Sequence, residues 1–246
     1  MKTIKRVLVL PLNYDHVQHG MIDGFRQVFG GDNVDVFDYM CAATRPLGPM
    51  TRTVAAVNLD FVAAVSAIKP DLVFMQLQET TVIDAASIHA ARLASPDTCF
   101  VHWTGDYQPM ISEYLTAICQ ATDVTFASSV GQLPAFIDAG APCAHYMQIG
   151  LDWSDDVLGS PVWEPPFRTP DVVFCGNHYA NGPWLTGTAQ RLADIRALVA
   201  AGIDVGVVGQ GWPGDIPVVG SCAVKQQHHV YTRAKVALSI NHENGV

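Results

Sequence analysis

The run His102-Trp103-Thr104-Gly105-Asp106-Tyr107 puts an imidazole and a carboxylate at the end of an apolar stretch, beside a glycine that permits close approach. Such a pair could move a proton on a bound hydroxyl. The plainer alternative has Asp106 capping the next turn and His102 as a satisfied core residue. A second segment, Asn13-Tyr14-Asp15-His16-Val17-Gln18-His19-Gly20, follows the first apolar run. It could offer backbone amides to an anion at a helix start. His16 and His19, three apart, could ligate a metal, but no third ligand stands nearby and an ordinary polar loop is the simpler reading. Further along, Phe174-Cys175-Gly176-Asn177-His178-Tyr179 closes another apolar run. There Gly176 would let backbone approach a phosphate, with Asn177 and His178 as donors. Val208-Gly209-Gln210-Gly211-Trp212-Pro213-Gly214 repeats the pattern, with an aromatic that could shelter a ligand. No Walker lysine motif is present, and a lone Gly-x-Gly is weak evidence. The pair His228-His229 reads as a solvated helix surface.

Side chains at such positions need a scaffold. Short apolar runs at 7–12, 34–37, 72–76, 99–103, 124–127 and 144–148 alternate with helical patterns at 21–28, 54–68, 82–93, 112–119 and 130–139. That alternation is the sequence form of a parallel α/β sheet. Most of the runs are uniformly apolar rather than alternating, as expected for strands covered by helices on both faces. Lys69-Pro70-Asp71 and Ala139-Gly140-Ala141-Pro142 each stop a helix before a strand. From 151 to 170 the texture changes to four prolines, two tryptophans and no period, a linker composition. The rhythm then restarts with a strand at 172–175, a loop at 176–187, a helix at 188–201 and a strand at 205–208. A Gly/Pro-rich loop, a helix around 229–234 and a strand at 236–240 follow. The expected organisation is an α/β protein of two Rossmann-like domains, the first over 1–150, a linker over 151–170 and an incomplete second over 171–246. A doubly wound domain needs more strands than this second segment supplies, so the chain is expected to be a fragment truncated at its C-terminal end.

Composition narrows the partners. The formal net charge is −9, with 14 Lys and Arg residues and no basic run. Polyanion binding needs a basic face, so nucleic acid and anionic membrane surfaces are not expected partners. No apolar stretch is long enough to cross a bilayer, and the short run after the N-terminus resembles a signal peptide only superficially. Cys41, Cys99, Cys119, Cys143, Cys175 and Cys222 form no Cys-x-x-Cys pair and are expected to be buried reduced thiols in a cytoplasmic protein.

Several motifs resemble those of the spore-maturation-protein-like glycosyltransferases, within the two-Rossmann (GT-B) class. They are VVFCGNHY with Arg191 in the next helix, LVAAGIDVGVVGQGW, Gly220, and VYTRAKVALSINH in the second half. VHWTGDY and ATDVTFASSVGQLPAFIDAGAP carry the resemblance in the first half. The resemblance implies metal-independent transfer of a sugar from a nucleotide-sugar donor to a small-molecule, glycan or protein acceptor, with no further cofactor. The donor would meet Gly176, Asn177, His178, Gly209, Gly211, Trp212 and Asn241. The acceptor would lie near His16, His19 and Gly20, with Asp106 as general base and His102 as a weaker candidate. The donor-holding segment that the family carries beyond Asn241 is absent from this sequence. The rival readings are a non-catalytic module holding a small anionic ligand in an interdomain cleft, and a sugar-nucleotide epimerase or phosphorylase on the same architecture.

Overall fold

The computed structural model describes residues 3–13, 19–40, 52–106, 110–148, 163–178, 188–223 and 226–239. The chain forms two compact units, Met1–Asp152 and Trp153–Val246. Each is built on a parallel sheet.

The first sheet has six strands: β1 (Val7–Leu10), β2 (Val34–Val36), β3 (Leu72–Gln76), β4 (Cys99–Thr104), β5 (Val124–Ala127) and β6 (Ala144–Tyr146). Their order is β2-β1-β3-β4-β5-β6, and every pairing is parallel. Successive side chains of a strand point to opposite faces, and both faces are apolar. Leu8, Leu10, Val73, Met75 and Phe100 pack on one side with Val57, Phe61, Val65, Ile88 and Ile118. Those partners come from α2 (Val54–Ile68), α3 (Ala85–Ala94) and α4 (Glu113–Ala121). Val7, Val9, Phe74, Val101 and Trp103 face the other way, against Met21, Phe25 and Phe29 of α1 (His19–Phe29). The helices start where their caps dictate. Thr53, Asp84 and Ser112 each accept a backbone N–H of the first turn of α2, α3 and α4. Lys69, left-handed at φ 49°, closes α2 directly before Pro70. A 3-10 turn and the short α5 (Leu133–Asp138) stand where a single helix over 130–139 is expected.

The second sheet has four parallel strands: β7 (Val172–Cys175), β8 (Val205–Val208), β9 (Val218–Gly220) and β10 (Val236–Ala237), in the order β10-β7-β8-β9. α6 (Thr188–Ala200) covers the face bearing Phe174 and Val207, through Leu192 and Ile195. α7 (Gln227–Tyr231) covers the face bearing Val173 and Val208, through Val230. β9 lies inside the segment expected to be a Gly/Pro-rich loop. Three residues after Pro217 are too few to show a period, and only pairing with β8 reveals the strand. The expected solvated pair His228-His229 is half-buried on α7, where the Trp163 N–H donates to His229 Nε2 at 3.4 Å.

Both units thus have the α/β architecture with parallel sheets. Among the described residues, no helix is long and apolar enough to cross a membrane, and no three His, Cys, Asp or Glu side chains cluster to hold a metal ion.

Candidate functional site

Ligands of open α/β sheets sit beyond the carboxyl ends of the strands, where the chain reverses its direction of travel across the sheet. In the second unit that reversal flanks β7. The chain steps outward from β7 to β8 and β9, then returns to place β10 on the other side of β7. The β7–β8 pairing runs to Cys175 and Val208, whereas the described β7–β10 pairing ends at Val173 and Ala237.

Glycine chemistry explains the closed side. A first side-chain carbon on Gly209 would lie 2.0 Å from the Gly176 carbonyl oxygen, and one on Gly211, at φ 79°, would lie 2.4 Å from that of His178. Only glycine permits so close an approach of two backbones. The loops are then laced by hydrogen bonds. The N–H groups of Gly176, His178 and Gly209 donate to the carbonyls of Val208, Gln210 and Gly220 at 2.9, 2.8 and 2.9 Å. Gln210 N–H donates to Asn177 Oδ1 at 2.8 Å, and the Trp212 indole donates to the Gly176 carbonyl at 2.9 Å. His178 Nδ1 lies 3.1 Å from the Gly211 carbonyl, which can only accept, so this nitrogen carries the proton. The structure therefore brings Gly176, Asn177, His178, Gly209, Gly211 and Trp212 together, but these amides and the Asn177 oxygen serve loop closure. Asn241 and His16 lie outside the described residues.

On the β10 side, Phe174, Cys175, Gly176, Arg191, Tyr231, Ala237, Leu238 and Ser239 line a cavity of about 340 Å³. Arg191 enters from α6. It is 4% exposed, its guanidinium carbon stands 4.8 Å from the centre of the Phe174 ring, and Nη1 donates to the Asn177 carbonyl at 3.3 Å. Phe174 packs edge-on against Trp212, with ring centres 5.8 Å apart, so the closed loops and the arginine share one aromatic support. Tyr231 enters from α7, on the opposite face of the sheet, and its hydroxyl hydrogen-bonds the Cys175 thiol. Burial pushes that thiol up to about 11 against the lowering effect of the Tyr231 hydrogen bond, and burial likewise raises the Tyr231 phenol. Cys175 is therefore a neutral thiol at physiological pH. Arg191 was visible in sequence as a residue of the helix after β7. Tyr231, Cys175 and Ser239 were missed, since no local pattern sets them apart.

In the first unit, β4 continues through Thr104, so His102 is an interior strand residue rather than a tip. It has no exposed surface, and neither ring nitrogen has a hydrogen-bond partner. Burial drives its pKa down to about 3 and keeps the ring neutral. Asp106 stands in the loop beyond. It retains exposed surface, yet burial by the surrounding protein and then the Glu79 carboxylate hold its carboxyl above the usual range. The next helix is capped by Ser112 rather than Asp106. His102 and Asp106 thus occupy different environments, one sealed in the sheet and one at its rim. His19 and Gly20 open α1 and are half-buried. Cys99, Cys119, Cys143, Cys175 and Cys222 carry free thiols, of which Cys119 alone is fully buried.

No family model matches the chain, and no curated protein matches it. Among solved structures, the chain is similar to the N-terminal domain of trehalose-6-phosphate phosphatase from Candida albicans, with a TM-score of 0.58 at 10% identity, covering 100% of this chain and 79% of that one. At that identity the likeness concerns the fold alone. The glycosyltransferase assignment is corrected on this finding, since the neighbour is named for a phosphatase. The rival readings, an interdomain-cleft module and an epimerase or phosphorylase, are equally unsupported. The short motifs behind the resemblance have a simpler cause. In this chain Gly209 and Gly211 stand where the loop after β8 touches the backbone of the loop after β7, and Gly176 stands where a side chain would meet the Phe174 ring, steric needs that involve no ligand.

Proposed function

We propose that the second unit recognises a phosphorylated carbohydrate, in the cavity between the tips of β7 and β10. The observation that carries this reading is the placement of the Arg191 guanidinium in the wall of a switch-point cavity. A guanidinium is a fixed cation with a planar set of N–H donors that matches phosphate oxygens. A buried one attracts an anion more strongly than a solvated one, because water screens it less. The volume lies at the low end of the range for small-molecule pockets, which fits a compact ligand. The carbohydrate half of the proposal draws on the fold neighbour, whose own name refers to a phosphorylated disaccharide.

Isothermal titration of the full chain with glucose 6-phosphate and trehalose 6-phosphate, beside unphosphorylated glucose, tests the proposal. Binding of at least one phosphorylated sugar, with none of glucose, is expected. Arg191→Met should weaken it by about tenfold or more, as loss of a charge-assisted hydrogen bond does. Equal binding of glucose and its phosphate, or unchanged affinity in Arg191→Met, would sink it.

A further inference from the structure

The first unit carries a thiol–imidazole pair at the start of β6. Cys143 directly precedes that strand and His145 lies within it. The Cys143 Sγ stands 3.0 Å from His145 Nε2. Two residues apart on an extended chain, the two side chains share one face. The backbone beneath them is fixed. Thr125 N–H donates to the Cys143 carbonyl at 2.9 Å, and His145 pairs in register with Phe126 of β5. The Phe126 ring also flanks the imidazole, with ring centres 6.0 Å apart. β6 ends the order of the described strands in its sheet. Cys143 is half-buried and His145 exposed, so the pair can be reached from solvent.

We propose that Cys143 is a redox-modification site, a nucleophilic thiol that gives its proton to His145 and exchanges with small disulfides such as glutathione disulfide. A nucleophile with a base within hydrogen-bond reach is the arrangement that thiol activation needs. Before reaction the S–H donates to a neutral Nε2. Once the proton has moved, the imidazolium Nε2–H donates to the thiolate. The thiolate then attacks one sulfur of the incoming disulfide. A bond between Cys143 Sγ and that sulfur forms as the disulfide bond breaks. The departing thiolate takes the proton from His145 and leaves as a thiol. Cys143 is thereby oxidised and the small disulfide reduced, with no further oxidant. Burial raises the pKa of Cys99, Cys119, Cys175 and Cys222, which keeps those sulfurs protonated and slow to react. The pair belongs to the first unit, so its chemistry stands apart from the reading of the second unit's cavity.

The test treats the reduced full chain with glutathione disulfide at pH 7 and follows each cysteine by peptide mass mapping over time. In the unsubstituted protein Cys143 should acquire glutathione about tenfold faster than any other cysteine, as a thiol paired with a base does. His145→Ala should slow Cys143 by about tenfold and leave the other cysteines within twofold. His145→Gln, whose amide can hydrogen-bond the sulfur but cannot take its proton, should be as slow as His145→Ala. Cys143→Ser should abolish the fast reaction. If Cys143 reacts no faster than the other thiols, or if the fast reaction survives in Cys143→Ser, the site is overturned. If His145→Ala leaves the Cys143 rate within twofold, or His145→Gln keeps it at the unsubstituted value, the role of the imidazole as proton acceptor is overturned.

Discussion

Gly209 and Gly176 stand so close that the first carbon of any side chain on Gly209 would lie 2.0 Å from the Gly176 carbonyl oxygen. The obstacle is backbone on both sides, held by hydrogen bonds from Gly176 to Val208 and from Gly209 to Gly220. No rotamer change can relieve it. Gly209→Ala should therefore destabilise the second unit by about 3 kcal/mol, the upper range for forced overpacking. Gly214→Ala, where an added carbon meets nothing within 4 Å, should change stability by no more than about 0.5 kcal/mol. Urea melts of both variants, followed by tryptophan fluorescence, check the contrast.

Asn177 separates loop architecture from ligand binding. Its side-chain oxygen accepts from Gln210 N–H, while its backbone carbonyl accepts from Arg191. Asn177→Ala removes the first bond and retains the second. A loss of about 1 kcal/mol of stability is expected, with affinity for glucose 6-phosphate changed less than threefold. A binding loss as large as that of Arg191→Met would return Asn177 to the ligand.

His102 should make the first unit sensitive to acid. It is fully buried, its pKa is depressed to about 3, and its strand neighbour Thr125 also has a buried hydroxyl without a partner. The unfolded chain takes up a proton near pH 6.5, whereas the folded chain resists until about pH 3. The stability that neutral His102 permits is fully present above pH 6.5 and declines as the pH falls through this window. The slope is about 1.4 kcal/mol per pH unit. His102→Leu should lower that dependence by one proton, read from chemical melts between pH 4 and pH 7.

Asp106 is held at the rim of the first sheet with its carboxyl raised by burial and by Glu79. An acid whose folded pKa is raised disfavours the fold once it is ionised. Asp106→Asn should thus be slightly stabilising at neutral pH, by about 0.5 kcal/mol or less. The gain should vanish as the pH falls below the ordinary carboxylate range. Thermal melts at pH 7 and pH 3.5 read the difference, and a variant less stable at pH 7 would contradict it.

The parallel α/β class was legible from the chain because its physical cause is local. Strands buried on both faces must be almost wholly apolar, as Val7–Leu10 and Val205–Val208 are and as Leu72–Gln76 is up to its last residue. Helix starts were legible near Thr53 and Ser112 for the same reason, since a cap acts within one turn. Strand ends were less so. β4 runs on through Thr104 because it pairs with Ala127 of β5, and β9 exists because Val218 finds Val207.

The site divides along the same line. The sequence by itself determined that glycines stand after β7 and β8 and that an arginine follows in the next helix. It could not determine whether those glycines open backbone to a ligand or bring two loops into contact, because the same missing side chain permits both. That was decided when β8 paired with β7 and drew Gly209 against Gly176. The cavity itself exists only because β10, some sixty residues along the chain, pairs on the far side of β7. Arg191, Tyr231 and Ser239 become neighbours through that pairing, a long-range contact that no local pattern encodes.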